Sequence, residues 1–345
     1  MPISTPQPLP LGMLLSVALA ITLALAVQLG AVPVAAIDWA APFTDTPMSG
    51  GAYVLWQLRL PRALLACAVG AALGLAGALT QGLFRNPMAD PGLLGVSSGA
   101  VCSVALVLTV FAAAANGVPA AWRLWVLPIS AFVGALAVCF ALERIARWLT
   151  PGSVAGLLLT GLALNAVTMA VIGLCTYLAT DEQLRSLSFW TLGSLAAAQW
   201  AIVLVLALAL ALAVWQARRI AHTLNALALG EAVAAHVGVD VGQLRTRLIV
   251  IVAVLSALAV AWCGLIGFIG LMAPHLVRGA ARADQRRLLP LAMLAGALLL
   301  LLADTVARTV AIPAEIPVGI FTALIGGPAF LLLLRGVARQ QGGHA

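Results

Sequence analysis

A chain of 345 residues that is 63% apolar and only 8% charged, with a mean hydropathy of +1.11, lacks the polar surface of a water-soluble fold and belongs in a membrane. Its formal charge of +7, from 18 basic and 11 acidic residues, does not point to nucleic acid, because every basic residue is an arginine in a short segment between apolar runs. Such arginines report topology. Cys67, Cys102, Cys139, Cys175 and Cys263 all fall inside apolar runs, so neither a disulfide nor a metal framework is implied.

The first apolar run, Leu11 to Gly30, lacks a basic leader and is followed by many more spans, so it is expected to be a retained helix. A second helix is predicted over 61–84, and it ends in "LFRNPMADPGLLGVSSGA", Leu83 to Ala100. Pro87 and Pro91 close one helix and open the next, predicted over 92–113. Gly92, Gly95, Ser97, Ser98 and Gly99 then give a thin, mildly polar face, suited either to close helix packing or to the passage of a bulky substrate.

Helices are predicted next over 123–143 and 154–178, then a short amphipathic helix over 185–196 near the outer interface, and a further span over 197–216. Trp190, Trp200 and Trp215 mark interfaces. Arg185 is open to two readings, a pore-mouth cation or an interface anchor. Segment 217–244 reads as two short helices around "ALGEAVAAHVGVDVG", with Val233, Val237 and Val241 at helical spacing and Gly238 as a stop signal.

The uncharged run Leu248 to Val277 is bounded by Arg245 and Arg247 on one side and by Arg278, Arg282, Arg286 and Arg287 on the other. Both ends therefore face the cytoplasm, and the run must cross twice, turning at "CGLIGFIG". This predicts helices over 244–263 and 267–281, followed by 287–308 and 316–335. The count is about ten spans with both termini inside, which places thirteen arginines in the cytoplasm and five outside. Asp304 and Arg308, four apart on one helix, are spaced to pair.

The chain contains no lysine, so it cannot build the phosphate-cradling GxxxxGK[ST] loop. Glu143, Asp304 and Glu315 fall near helix ends, whereas ion-coupled carriers keep carboxylates at mid-membrane. His222, His236, His275 and His344 show no metal-ligand spacing, which disfavours an intramembrane metalloenzyme.

The run "LRLPRALLACAVGAALGLAGALTQGLFRNPMADPGLLGVSSGA", Leu58 to Ala100, closely resembles the permeases of type II ABC importers for iron siderophores, heme and cobalamin. The resemblance continues through "FWTLGSL", "LALGEAVAAHVGVDVGQLR", "GLIGFIGLMAPHLVR", "LLADTVAR" and "EIPVGIFTALIGGPAFLLLL". It implies a single all-α transmembrane domain over 1–345, a polytopic membrane protein of about ten helices built as inverted repeats. The implied assembly in the bacterial inner membrane is two copies of this chain, two ATPase subunits and a periplasmic substrate-binding protein.

In residues, the resemblance implies a substrate pathway near Gly92, Gly95, Ser97, Ser98, Gly99 and Arg185. Coupling to the ATPase falls to the loop 217–244, through Leu229, Gly230, Glu231, Ala232, His236 and Gly238. Binding-protein docking falls to Arg59, Arg62 and Arg308, for which interface anchoring is the alternative. No cofactor is expected on this chain; ATP and Mg belong to the partner subunit. "ADPGLLGVSSGA", Ala89 to Ala100, follows the pattern of heme carriers, where siderophore permeases often carry Ser-Pro-Asp and cobalamin permeases Glu-Pro-Gly. Heme is thus the expected cargo.

Overall fold

The computed structural model describes residues 10–44, 48–281, 284–312 and 314–342, and side chains as far as residue 332 apart from Asn116; Arg282 and His344, and the side chains of Arg335 and Arg339, lie outside this description. In chain order the helices are α1 (Leu11–Gln28), α2 (Gly50–Tyr53), α3 (Leu60–Phe84), α4 (Val96–Leu108), α5 (Ala112–Asn116), α6 (Ala120–Leu149), α7 (Val154–Leu178), α8 (Asp181–Thr191), α9 (Trp200–Ala228), α10 (Glu231–His236), α11 (Val241–Cys263), α12 (Ile269–Ala281), α13 (Gln285–Thr309) and α14 (Val318–Gly342). No strand occurs among the described residues. Seven helical runs are long and apolar enough to cross a bilayer, and Val96–Leu108 and Val318–Leu332 are shorter apolar helices.

The second span starts well before the predicted residue 61. Ser49 caps it, its hydroxyl accepting from the Ala52 N–H at 3.0 Å. From there α2 runs through a π-helical turn, Val54–Arg59, into α3. Pro61 has no N–H to give, and the widened turn ahead of it lets the helix continue past the missing bond.

α3 is the axis of the fold and packs against α9, α11, α12 and α13. Its small residues explain the fit. A Cβ on Gly70 or Gly74 would collide with the α13 backbone at Gly296 or Ala292, and one on Gly77 with the α12 backbone at Gly270. Without a hydrophobic force between helices in lipid, such close contact supplies the packing energy.

Four further boundaries differ from the sequence expectation. The helix predicted over 92–113 is broken: Pro91–Leu94 forms one 3-10 turn, Gly95 turns left-handed at φ 75°, and α4 proper begins at Val96. The outer helix predicted over 185–196 is α8, which starts at Asp181 because Thr180 and Gln183 form a capping box, and which is over before Gly193 at φ 70°. Within 217–244, the first of the two expected short helices is a continuation of α9, since no residue interrupts it before Gly230. α6 likewise runs past its predicted end, its extra turns carrying an ion pair between Glu143 and Arg147.

Candidate functional site

The Asn-Pro turn is held by its own polar groups. Arg85 takes the left-handed conformation at φ 49° that ends α3, the Asn86 carboxamide accepts from the Met88 N–H at 2.9 Å, and Asp90 Oδ1 accepts from the Gly92 N–H at 2.7 Å. Burial pushes the Asp90 carboxyl above its ordinary range, and the Gly92 bond pulls against it. Gly92 therefore belongs to the turn.

Gly95 and Gly99 do not face an open path. A Cβ on Gly95 would come within 2.8 Å of Val138 Cγ1, and one on Gly99 within 2.5 Å of the Gly134 carbonyl, so both let α4 lie against α6. Close packing, the alternative open for this segment, accounts for both glycines within one copy of the chain. Ser98 donates to Asn165 Oδ1 at 2.5 Å and ties α4 to α7. Ser97 is half-buried and makes no side-chain hydrogen bond among the described residues. Arg185 is exposed on α8, its guanidinium 5.7 Å from the Phe189 ring centroid.

At one end of the helical layer lies the loop between α9 and α11. Gly230 at φ 121° ends α9, the short α10 follows, and Gly238 at φ 85° stops it as its sequence position suggested. Asp240 then caps α11 through the Gln243 N–H at 2.9 Å. On this loop Leu229, Val233 and Val237 are 73%, 45% and 66% exposed; Val233 and Val237 lie one turn apart along α10 and form an apolar ridge outside the long helices, and Leu229 stands exposed on the other side of the Gly230 break. Ala232 and His236 are exposed beside it, with His236 Nδ1 2.9 Å from the Ala232 carbonyl.

Sequence spacing gave no sign of what holds this ridge in place. Arg245 Nη2, from α11, donates to Glu231 Oε1 at 3.0 Å and to the Gly152 carbonyl at 3.1 Å. One guanidinium thus joins α10 to the turn between α6 and α7. Glu143, Arg147, Thr150 and Ser153 line the cavity of about 310 Å³ beside it, and Thr246 Oγ1 donates to Glu143 Oε1 at 3.3 Å.

The opposite end carries the three arginines expected to dock a partner. Arg59 is 8% exposed and donates to the carbonyls of Val27 (3.1 Å), Gln28 (3.0 Å) and Val32 (2.6 Å), stapling the end of α1 to the π turn. Arg62 grips Asp304 through Nε and Nη2, at 3.0 and 2.8 Å, and reaches Glu315 with Nη1 at 2.7 Å. Arg308 donates to the carbonyls of Ala26 and Leu29. The pairing expected between Asp304 and Arg308 is therefore replaced by an inter-helix bridge to Arg62, whose planar fork matches the carboxylate. All three guanidinia are engaged internally, and Glu315, with its side chain 48% exposed, is the open member of the group.

No cluster of His, Cys, Asp and Glu suited to a metal ion occurs among the described residues.

Comparison with known proteins places this geometry in context. The sequence profile of the FecCD transport family matches residues 18–336. The chain is 45% identical over 300 residues to the hemin transport system permease protein HmuU of Yersinia pestis, covering 87% of this chain and 88% of that protein. It is 42% identical over 280 residues to the vitamin B12 import system permease protein BtuC of Pectobacterium atrosepticum, covering 81% and 82%. Among solved structures it superimposes with a TM-score of 0.81, at 32% identity, on a transporter assigned to the metal-chelate ABC type in an inward-facing conformation, over 94% of this chain and 98% of that one.

Proposed function

The chain belongs to the FecCD transport family, and from that premise we propose that it is the membrane-spanning subunit of an ATP-driven importer that carries heme across the bacterial inner membrane. The observation that carries this reading is the coupling face, where Leu229, Val233 and Val237 stand exposed on a segment that Arg245 fixes to α11 and to the α6–α7 turn. An apolar ridge outside the membrane layer is a docking surface. Its occupant is a separate ATPase, which must supply hydrolysis because this chain has no lysine for a phosphate loop. ATP and Mg bind there, and this chain holds no cofactor of its own.

Heme as cargo is supported by the motif Ala89 to Ala100 and by the 45% identity to a hemin permease. The 42% identity to a vitamin B12 permease supports cobalamin as the second reading. The exposed apolar faces of α7 and α14, including Leu158, Leu162, Leu324 and Ile325, suit a second copy of the chain, with the path between the copies. Ser97, Ser98 and Arg185 are the polar groups of the pathway in this reading. Counting α4, α12 and α14 with the seven long spans gives ten crossings, with both termini and the coupling loop in the cytoplasm. A periplasmic binding protein docks at the rim of Arg59, Arg62 and Arg308, where a partner carboxylate can take the place of Glu315 on Arg62 Nη1.

The test is co-purification of the chain with its separately expressed ATPase. A stable complex that Val233→Asp disrupts is expected; a complex indifferent to charge on the ridge would place the coupling surface elsewhere.

A further inference from the structure

Away from the coupling loop and the arginine rim, a groove of about 820 Å³ opens between α1, α3, α9 and α13. Its walls are hydrocarbon, from Leu64 and Leu75 on α3, Leu210 on α9 and Met293 on α13. On α9 the lining runs from Val203 to Ala221, about 27 Å at 1.5 Å per residue, close to the thickness of a bilayer's hydrocarbon core of about 30 Å. The two charged residues in its lining, Arg218 and Arg286, both lie at the end shared with the coupling loop.

Neither arginine makes an ion pair among the described residues. Arg218 has no hydrogen-bond or ion-pair partner among the described residues. Arg286 Nη2 contacts His222 Nδ1, and His222 stands one turn beyond Arg218 on α9, so the three side chains form one patch. Asp284 is the nearby carboxylate, but its Oδ1 accepts from Asn225 Nδ2 at 2.9 Å and from the Arg286 N–H at 3.0 Å as the cap of α13. Those bonds, the Asn225 one first, and the nearby guanidinia of Arg286 and Arg287 hold its carboxyl below the usual range, but it makes no ion pair with either arginine among the described residues.

We propose that this groove binds an anionic phospholipid, with an acyl chain along its apolar wall and the phosphate between Arg218 and Arg286. A zwitterionic lipid would fill the same hydrocarbon wall but would bring an ammonium into the arginine patch. Basic pockets between spans at the cytoplasmic face recognise anionic headgroups in this manner, by phosphate geometry and the negative potential of that leaflet. The inference is independent of cargo and of the transport reading.

The full chain in phosphatidylcholine vesicles is titrated with spin-labelled phosphatidylglycerol or spin-labelled phosphatidylcholine, and the motionally restricted fraction is read by electron spin resonance. The expected result is a preference of roughly thirty-fold for phosphatidylglycerol, from about one kcal/mol per arginine at the surface. Arg218→Gln with Arg286→Gln should bring the ratio close to one while leaving phosphatidylcholine association unchanged. Arg218→Gln alone, which removes no hydrogen bond or ion pair, should lower the ratio about five-fold and serves if the double variant does not fold. Ala207→Phe, which narrows the groove, should reduce the restricted fraction of both lipids. Equal association of the two lipids with the unmodified chain, or a preference that survives loss of the arginines, overturns the headgroup assignment. A restricted fraction untouched by Ala207→Phe overturns the seating of the chain in the groove.

Discussion

Arg245 and Glu231 face each other across the start of the coupling segment, Nη2 to Oε1 at 3.0 Å, and the same nitrogen reaches the Gly152 carbonyl at 3.1 Å. A displacement of α10 therefore pulls on the α6–α7 turn as well as on α11. The arginine is the one side chain that connects all three.

Arg245→Ala and Glu231→Ala are accordingly both expected to lower ATP-dependent uptake with ATP hydrolysis retained by the assembled complex, Arg245→Ala the more so because it also loses the Gly152 bond. Because Glu231 acts through its bond to Arg245, the double variant should be no worse than Arg245→Ala. Additive losses, measured as uptake per ATP hydrolysed, would show that the residues work separately. Glu231→Arg should be more harmful than Glu231→Ala, since it sets two guanidinia against each other.

Gly238 stands at φ 85° with open space where a Cβ would be. A substitution there meets no neighbour, so its cost is backbone strain of roughly 1–2 kcal/mol. Gly238→Val should weaken the complex with the ATPase by disturbing the ridge after Val237, and Gly238→Asn should do so less, because asparagine tolerates the left-handed region. Affinities measured by titration of the ATPase check the order; equal effects would mean that side-chain bulk against the partner, rather than strain, is responsible.

Arg62 and Asp304 are 12% and 2% exposed in their side chains, a buried bidentate pair linking α3 to α13. Removing the arginine alone strands a carboxylate, and such losses run to about 3–5 kcal/mol. Arg62→Ala should therefore lower the unfolding temperature markedly in detergent, and adding Asp304→Asn should restore most of it. A double variant no more stable than Arg62→Ala would show that the aspartate has another partner.

Freeing Arg62 Nη1 tests the docking rim without dismantling it. Glu315→Gln removes a half-exposed competitor while leaving the Asp304 bridge in place. Association of the binding protein should become faster and more sensitive to ionic strength, as expected when an exposed charge steers an encounter. Unchanged rates at two salt concentrations would leave Arg62 a structural anchor.

Much of this architecture is written in the sequence as uncharged runs between arginines, because a span in lipid must be apolar for most of its length. The run between Arg247 and Arg278, read as two crossings by that rule, folds as two helices, α11 and α12. Boundaries that depend on compensation were not legible. Pro61 reads as a helix start, and only the π turn before it lets the helix begin at Gly50. Arg218 and Arg219 read as the end of a span, yet α9 continues for several turns, with Arg219 stacked 3.9 Å from the Trp215 ring centroid.

Partners far apart in the chain were also hidden. Asp304 lies four residues from Arg308, but its bond is to Arg62, 242 residues away. Spacing within one helix proposes a pair that packing between helices can overrule. Gly95 and Gly99 look the same in sequence whether they border a pore or another helix; their close approach to Val138 and Gly134 becomes visible only in the fold. The segment around Glu231 and Gly238 stands out in sequence by its motif, whereas the bonds of Arg245 to Glu231 and Gly152 are visible only in the fold.

The central claim, an ATP-driven permease whose cargo is heme, is tested most directly by uptake into proteoliposomes holding the chain with its ATPase, and its binding protein outside. Heme absorbance should appear in the lumen only when ATP, the ATPase and the binding protein are all present, and excess cobalamin should not compete. Uptake driven by a proton or sodium gradient without the ATPase, or uptake of cobalamin in place of heme, would contradict it.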